Sequence, residues 1–288
     1  MRLIVNILVG CGALWLLARW FEWKNVYAPT SEIEATPESV GLEFEEIEFI
    51  AEDGVRLHGW WISHPEARGT ILYCHGNGSN IGNRVNLCRD LHALGVNIFI
   101  FDYRGYGRSR GWSTEQGTYR DARAAYEVIR AKYDDMESPP VLVYGASLGA
   151  CIAAQLALDK PVVGAVFEAG FSSVVDVGKH LFPNLPVSLI SRFRYEADRR
   201  VAQIRAPKLF ASSRDDQLIP LISGKSCMTP PQSRKPFLNC AGRMARPAGT
   251  KPPPFGRPSR PLLTRPFRAR RKTQNSVQNI RVLCLDCH

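Results

Sequence analysis

Acidic residues almost vanish from the last part of this 288-residue sequence. From Ser223 to His288 there is one, Asp286, against 14 lysines and arginines. That scarcity decides how the net charge of +10 is read. Residues 1–222 hold 23 basic and 26 acidic side chains, so the body is slightly negative and the basic character belongs to the tail. A basic body surface for nucleic acid is therefore excluded, and nucleic acid is not the expected partner. Histidine is also scarce: beyond His180 the sequence has only His288. The eight cysteines lack the regular spacing of a disulfide framework. Cys74, Cys88 and Cys151 sit on apolar patterns, where a thiol serves as a small hydrophobe. No internal repeat is present, which sets aside the repeat architectures.

What the sequence does have begins at the N-terminus. Leu3–Ala18 is apolar except for Asn6, and Arg19, Trp20, Phe21 and Trp23 follow. The run falls short of the ~20 residues that cross a bilayer. It reaches that length if Arg19 snorkels and the aromatics form an interfacial belt. Residues 1–24 thus read as a membrane anchor, with the side of the membrane open. The rivals are weaker: no small-residue cleavage site follows the apolar run. Leu8-Val9-Gly10-Cys11 resembles a lipobox, but the apolar stretch before Cys11 is too short and continues past it.

After a polar linker over 25–43, residues 44–225 alternate between strand and helix patterns. Phe44–Ile50 and Val55–Ile62 alternate as an antiparallel pair turning at Asp53-Gly54. Thr70–Cys74, Asn97–Phe101, Val141–Tyr144, Val162–Phe167 and Lys208–Ala211 are short apolar runs, as expected of parallel strands covered on both faces. Thr114–Tyr133 carries Ala122, Ala125, Tyr126 and Ile129 on one helical face. Leu148–Leu158 is apolar all round, the pattern of a buried helix. These patterns predict an α/β fold, a mostly parallel sheet with an antiparallel N-terminal hairpin. Pro183–Arg205 interrupts the rhythm and reads either as a lid over a site or as an irregular surface helix. Past Ile222 periodicity stops, and residues 226–288 read as a disordered Pro/Arg-rich tail.

The chemistry-bearing motif is Gly145-Ala146-Ser147-Leu148-Gly149, between the strand Val141–Tyr144 and the helix Leu148–Leu158. Strand, sharp turn and helix are the setting of a nucleophile elbow, in which the serine oxygen is presented above the sheet edge. The helix N-terminus behind Ser147 favours developing negative charge. His75-Gly76-Asn77-Gly78 follows an earlier strand, Thr70–Cys74. An oxyanion hole needs two converging N–H donors, and the residue after the nucleophile, Leu148, and the loop residue Asn77 are the candidates. His75 reads as a support of that loop. The acid is expected after a late strand, in Ser212-Ser213-Arg214-Asp215-Asp216-Gln217-Leu218-Ile219-Pro220.

These segments, with Phe101-Asp102-Tyr103-Arg104-Gly105-Tyr106-Gly107-Arg108-Ser109 and Phe171-Ser172-Ser173, resemble the α/β-hydrolase superfamily. Within it, they resemble single-pass membrane-anchored α/β-hydrolase-domain proteins of the serine aminopeptidase-like or lysophospholipase-like kind. The likeness covers about Arg19–Lys225. It implies a serine hydrolase acting on an ester, thioester or amide of a small-molecule or lipid-like acyl substrate. It implies no cofactor or metal. Register with the family's Asp-x-Leu/Val-Ile/Val-Pro ending makes Asp216, rather than Asp215, the triad acid. Asp102 is then a structural loop residue.

The tail departs from that resemblance. A triad needs a histidine beyond the acid to take the serine proton, and beyond Asp216 only His288 remains. The family's final strand and helix are missing from the sequence pattern as well. A shifted reading frame after about Lys225 accounts for the missing base, the charge change and the proline change together. Reading Ser226–Arg246 one base earlier admits an amphipathic helix, a strand and a Gly-x-His loop, the His arising where Arg243 meets Met244. Cys284-Leu285-Asp286-Cys287-His288 has the spacing of c-type haem attachment, but a haem site also needs a pocket and an axial partner that this tail does not offer. The expected product is a hydrolase impaired for lack of its histidine, or an anchored protein that binds anionic partners through its tail.

Overall fold

A computed structural model describes residues 2–134, 139–213 and 280–285. Its frame is an eight-stranded sheet: β1 (Glu45–Ile50), β2 (Arg56–Ile62), β3 (Thr70–Cys74), β4 (Asn97–Asp102), β5 (Val141–Ala146), β6 (Gly164–Glu168), β7 (Lys208–Ser213) and β8 (Ile280–Leu285). In space the order is β8-β7-β6-β5-β3-β4-β2-β1. Strands β3 to β7 pair in parallel, whereas β1–β2, β2–β4 and β7–β8 are antiparallel. The expected α/β class, mostly parallel sheet and starting hairpin are thus present. One expectation is corrected. The place beside β7, expected to be vacant, is filled by Ile280–Leu285, paired with it residue for residue in the reverse direction. The run Ile-Arg-Val-Leu-Cys-Leu suits a strand, and an open β7 edge presents unpaired N–H and C=O groups that such a run can satisfy.

Every residue of β3 is buried, because helices cover both sheet faces. The helices are α1 (Arg2–Val26), α2 (Val85–His92), α3 (Glu115–Lys132), α4 (Leu148–Asp159), and three short ones between β6 and β7: α5 (Val174–Leu181), α6 (Val187–Ile190) and α7 (Ala197–Val201). Thr114 caps α3 by accepting the Gly117 N–H, and the helix buries Ala122, Ala125, Tyr126 and Ile129, the face anticipated from periodicity. Cys74, Cys88 and Cys151 are buried. Burial pushes the Cys74 thiol up to about 12, which keeps it protonated. Helix α1 is long and apolar enough to cross a membrane, by length and composition. Its last turns contact the body: the Trp23 indole donates to Ser113 O at 3.0 Å and stacks on Trp112 at 4.0 Å.

One buried ion cluster ties three elements together. Arg104, in the β4–α3 loop, makes a bidentate contact with Asp53 of the β1–β2 turn at 2.8 and 2.9 Å. Its other side meets the fully buried Asp121 of α3 at 2.8 and 3.0 Å. The Arg104 hydrogen bonds hold the Asp53 carboxyl down at about 2. Removing one partner of such a cluster strands a buried charge, at a cost of about 3–5 kcal/mol. Arg104→Ala is accordingly expected to lower unfolding stability by that amount in urea titrations of the purified protein. A loss under ~1 kcal/mol, the range of exposed pairs, would show that the cluster does not hold the loop.

Candidate functional site

The sheet order creates the site. The chain runs from β3 to its neighbour β4, then crosses back to place β5 on the other side of β3. At such a switch point the loops leaving two adjacent parallel strands diverge and leave a crevice at their carboxyl ends. The loop after β3 is His75-Gly76-Asn77-Gly78, and the residue after β5 is Ser147.

Ser147 alone separates β5 from α4, with φ 52° and ψ −115°. A side-chain-bearing residue at positive φ stores roughly 1–3 kcal/mol of strain and persists only when its surroundings fix it. Here they do. The Ser147 N–H donates to Glu168 O at the end of β6 (2.8 Å), and Ser147 O accepts the Ala150 N–H (3.0 Å). The flanking glycines permit the sharp turn. A Cβ on Gly149 would lie 2.0 Å from Cys74 O, and one on Gly145 would lie 2.3 Å from Gly149 O. Ser147 is left half-buried at the N-terminus of α4. Leu148 is the first residue of that helix, so its N–H has no intrahelical acceptor.

The β3 loop lies against this turn: a Cβ on Gly76 would be 3.6 Å from Ser147 Cβ. Its carbonyls are held by tyrosines from the β4–α3 loop. Tyr103 Oη donates to His75 O at 3.0 Å, and Tyr106 Oη donates to Asn77 O at 2.8 Å. Asn77 O also accepts the Ala28 N–H at 3.0 Å. These bonds fix the backbone of the loop whose Gly76 packs against Ser147. Ser147, Leu148 and Asn77 are brought together at one end of the sheet. Asp216 and His288 lie outside the described residues; β7 ends at Ser213, three positions before Asp216.

His75 is fully buried and supports the loop. Its Nδ1–H donates to Gly76 O at 2.7 Å, and its ring packs on Tyr103 (4.4 Å) and Tyr106 (5.2 Å). Burial drives its pKa down to about 3, so the ring is neutral. Its Nε2 lies 3.6 Å from Asp102 Oδ1. Asp102 is buried too and accepts the Ile81 N–H at 3.0 Å, the structural part anticipated for it. Burial raises the Asp102 carboxyl to about 7. Tyr103, Tyr106 and Glu168 are supports that motif reading does not single out. The two tyrosines stand in the Phe101–Ser109 run, whereas Glu168 acts through its backbone and leaves no signal in residue type.

An α/β sheet with a strained serine at its switch point, between β5 and α4, is the arrangement of the α/β-hydrolases. The chain matches the Serine aminopeptidase, S33 family (Hydrolase_4) over residues 65–219. It is 32% identical over 216 residues to an uncharacterized protein of Mycobacterium tuberculosis, spanning 74% of this chain and 76% of that protein. It is 31% identical over 252 residues to the alpha/beta hydrolase domain-containing protein WAV2 of Arabidopsis thaliana, spanning 80% and 81%. The fold is similar to that of the Pyrococcus furiosus esterase Pf2001, with a TM-score of 0.59 and 23% identity over 70% of this chain and 82% of that one. The chain belongs to the serine aminopeptidase S33 family of α/β-hydrolases.

The buried Asp102 has a pH consequence. Its folded value, about 7, lies above the unfolded value near ~3.9. Between those values the folded state holds a proton that the unfolded state has lost. Stability from this group is therefore complete below pH ~4 and is lost as pH rises through about 7. Asp102→Asn keeps the oxygen that accepts from Ile81 and removes the proton. It is expected to flatten the fall in stability across that window by up to ~1.4 kcal/mol per pH unit. Denaturant midpoints of the two proteins measured at several pH values give the slope; parallel curves would mean that Asp102 is ionised throughout.

Proposed function

We propose that this chain is a membrane-anchored serine hydrolase. Its substrate is an ester, thioester or amide of an acyl group, and the reaction passes through an acyl-enzyme on Ser147. The observation that carries the reading is the strained serine between β5 and α4, at φ 52°, beside the β3 loop. Ser147 Oγ attacks the acyl carbon. The N–H groups of Leu148 and Asn77 then face the oxygen on which negative charge develops, where fixed donors lower the barrier most. The alcohol, thiol or amine departs with a proton, and water releases the acid. Helix α1 is read as the anchor, on its length and composition. An anchored enzyme favours lipid-like or membrane-tethered acyl substrates.

Asp216 is assigned the part of orienting the histidine that takes the Ser147 proton. His75 does not suit that base: its Nδ1–H is spent on Gly76 O, and burial disfavours the charged ring. This favours the second reading, a chain impaired by loss of the family's histidine through a shifted frame after about Lys225. Removing a triad histidine costs on the order of 10⁶ in kcat and leaves roughly 10³–10⁴ over water from the oxyanion hole and binding. A fluorophosphonate probe is expected to label Ser147 only slowly, and Ser147→Ala to abolish what labelling there is. Rapid labelling would mean that a base is present and would end the impaired reading. No labelling even after restoration of a Gly-x-His segment would remove the assignment of Ser147. The coding DNA supplies an independent check: a codon for Arg243 ending in C is expected, and any other third base removes the hidden histidine.

A further inference from the structure

The segment between β6 and β7 carries an apolar tip that no other part of the described residues covers. Large apolar side chains stand exposed at Leu181, Leu185, Leu189 and Ile190, with Leu189 at 84%. Those four lie within ten residues, while the other exposed ones of the body are scattered singly. Loss of such a cluster to water is unfavourable, and it marks an interaction surface.

The position of the tip says what covers it. Arg19 Nη2 of α1 donates to Ile190 O at 2.7 Å, and the Phe21 ring meets Phe182 edge-on at 5.8 Å. Glu22 Oε1 accepts from Ser191 Oγ at 2.7 Å and from the Arg192 N–H at 2.6 Å. Tip and α1 are therefore fastened together at residues 19–22, where the apolar run Leu3–Ala18 gives way to Arg19 and the tryptophans. A helix that enters a bilayer with that run leaves the hydrocarbon at the same residues. The polar side of the junction is aromatic and carries both signs of charge, but its other acids are occupied: Glu115 accepts the Arg194 and Tyr195 N–H groups and pairs with Arg200, and Glu196 pairs with Arg199. A cleft of about 730 Å³ between α1 and the body is lined by Arg19, Trp20, Trp23, Trp112, Arg192 and Arg194, among others. Glu22 is already committed to Arg19 and to the backbone of residues 192 and 193, while Arg192 and Arg194 are exposed.

We infer that Leu181–Arg194 is a second membrane-contacting element. Leu185, Leu189 and Ile190 sit at the boundary of headgroups and acyl chains, and Arg192 and Arg194 face anionic headgroups. The inference rests on the reading of α1 as an anchor. It also deepens the functional reading. The segment leaves the sheet just after Glu168, whose carbonyl holds the Ser147 N–H. An acyl substrate leaving the bilayer beside α1 thus meets this element on its way to Ser147.

Photo-crosslinking of the full chain tests the placement. It is reconstituted in vesicles of phosphatidylcholine and phosphatidylglycerol with Leu189→p-benzoylphenylalanine, a change at an exposed position that the fold tolerates. Leu16 in α1 reports on the anchor. Leu158 is an exposed control near the far end of α4, which runs from Ser147 back toward the start of β5. Lipid adducts at 16 and 189, absent at 158, are expected by mass spectrometry. Adducts at 16 alone would overturn the inference and leave the anchor standing. Adducts at neither 16 nor 189 would remove both. Equal adducts at 158 and 189 would reduce the contact to non-specific exposure and overturn the inference.

Discussion

The close approach of α4 to the end of β3 is the constraint on which the rest of the site depends. Gly149 lies so near the Cys74 and His75 carbonyls that even a methyl group would collide with them. This contact lets the chain leave β5, turn within one residue and enter a helix without moving away from the neighbouring strand. It also places the first turn of α4, with its unpaired N–H groups, beside the β3 loop. Strain at Ser147 is the local cost, and the hydrogen bond to Glu168 O holds it in place. The crossover from β4 to β5 matters for the same reason, since it makes β3 and β5 neighbours.

Around that contact the protein uses buried polar groups to fix backbone. Tyr103 and Tyr106 hold two carbonyls of the β3 loop, His75 holds a third, and Asp102 anchors the loop's far end at Ile81. Burial keeps His75 neutral and favours the protonated form of Asp102, so the cluster stays in the interior with little net charge. Arg104 serves the neighbouring loop differently, as a full charge between two carboxylates. Neutral groups suffice where a carbonyl needs a donor; a charge cluster joins elements that are distant in sequence. The same logic recurs at the foot of α1. Tyr27 is buried there and shares a 2.6 Å hydroxyl contact with Tyr195, and Tyr195 in turn meets Thr118 of α3 at 2.9 Å.

The sheet was legible from sequence because its strands are short apolar runs and its first two alternate. The elbow was legible because glycine is the one residue that fits on both sides of Ser147. Less legible was the segment between β6 and β7: Pro183–Arg205 fits a lid or a surface helix equally well in periodicity, since both expose polar residues. The strand Ile280–Leu285 was missed because it follows a long proline- and arginine-rich run without periodicity, and its pairing depends on an edge far away in sequence.

By itself the sequence determined the fold class, the serine with its glycines, and an N-terminal run apolar enough to enter a bilayer. These follow from local rules of side-chain size, alternation and polarity. Only the tertiary structure decided that the His75–Gly78 loop lies against Ser147 at Gly76, that two tyrosines and a neutral histidine hold that loop, and that the apolar tip near Leu189 is fastened to the foot of α1. Each of these joins residues far apart along the chain, and what joins them is backbone hydrogen bonding and close packing, which residue identity does not record.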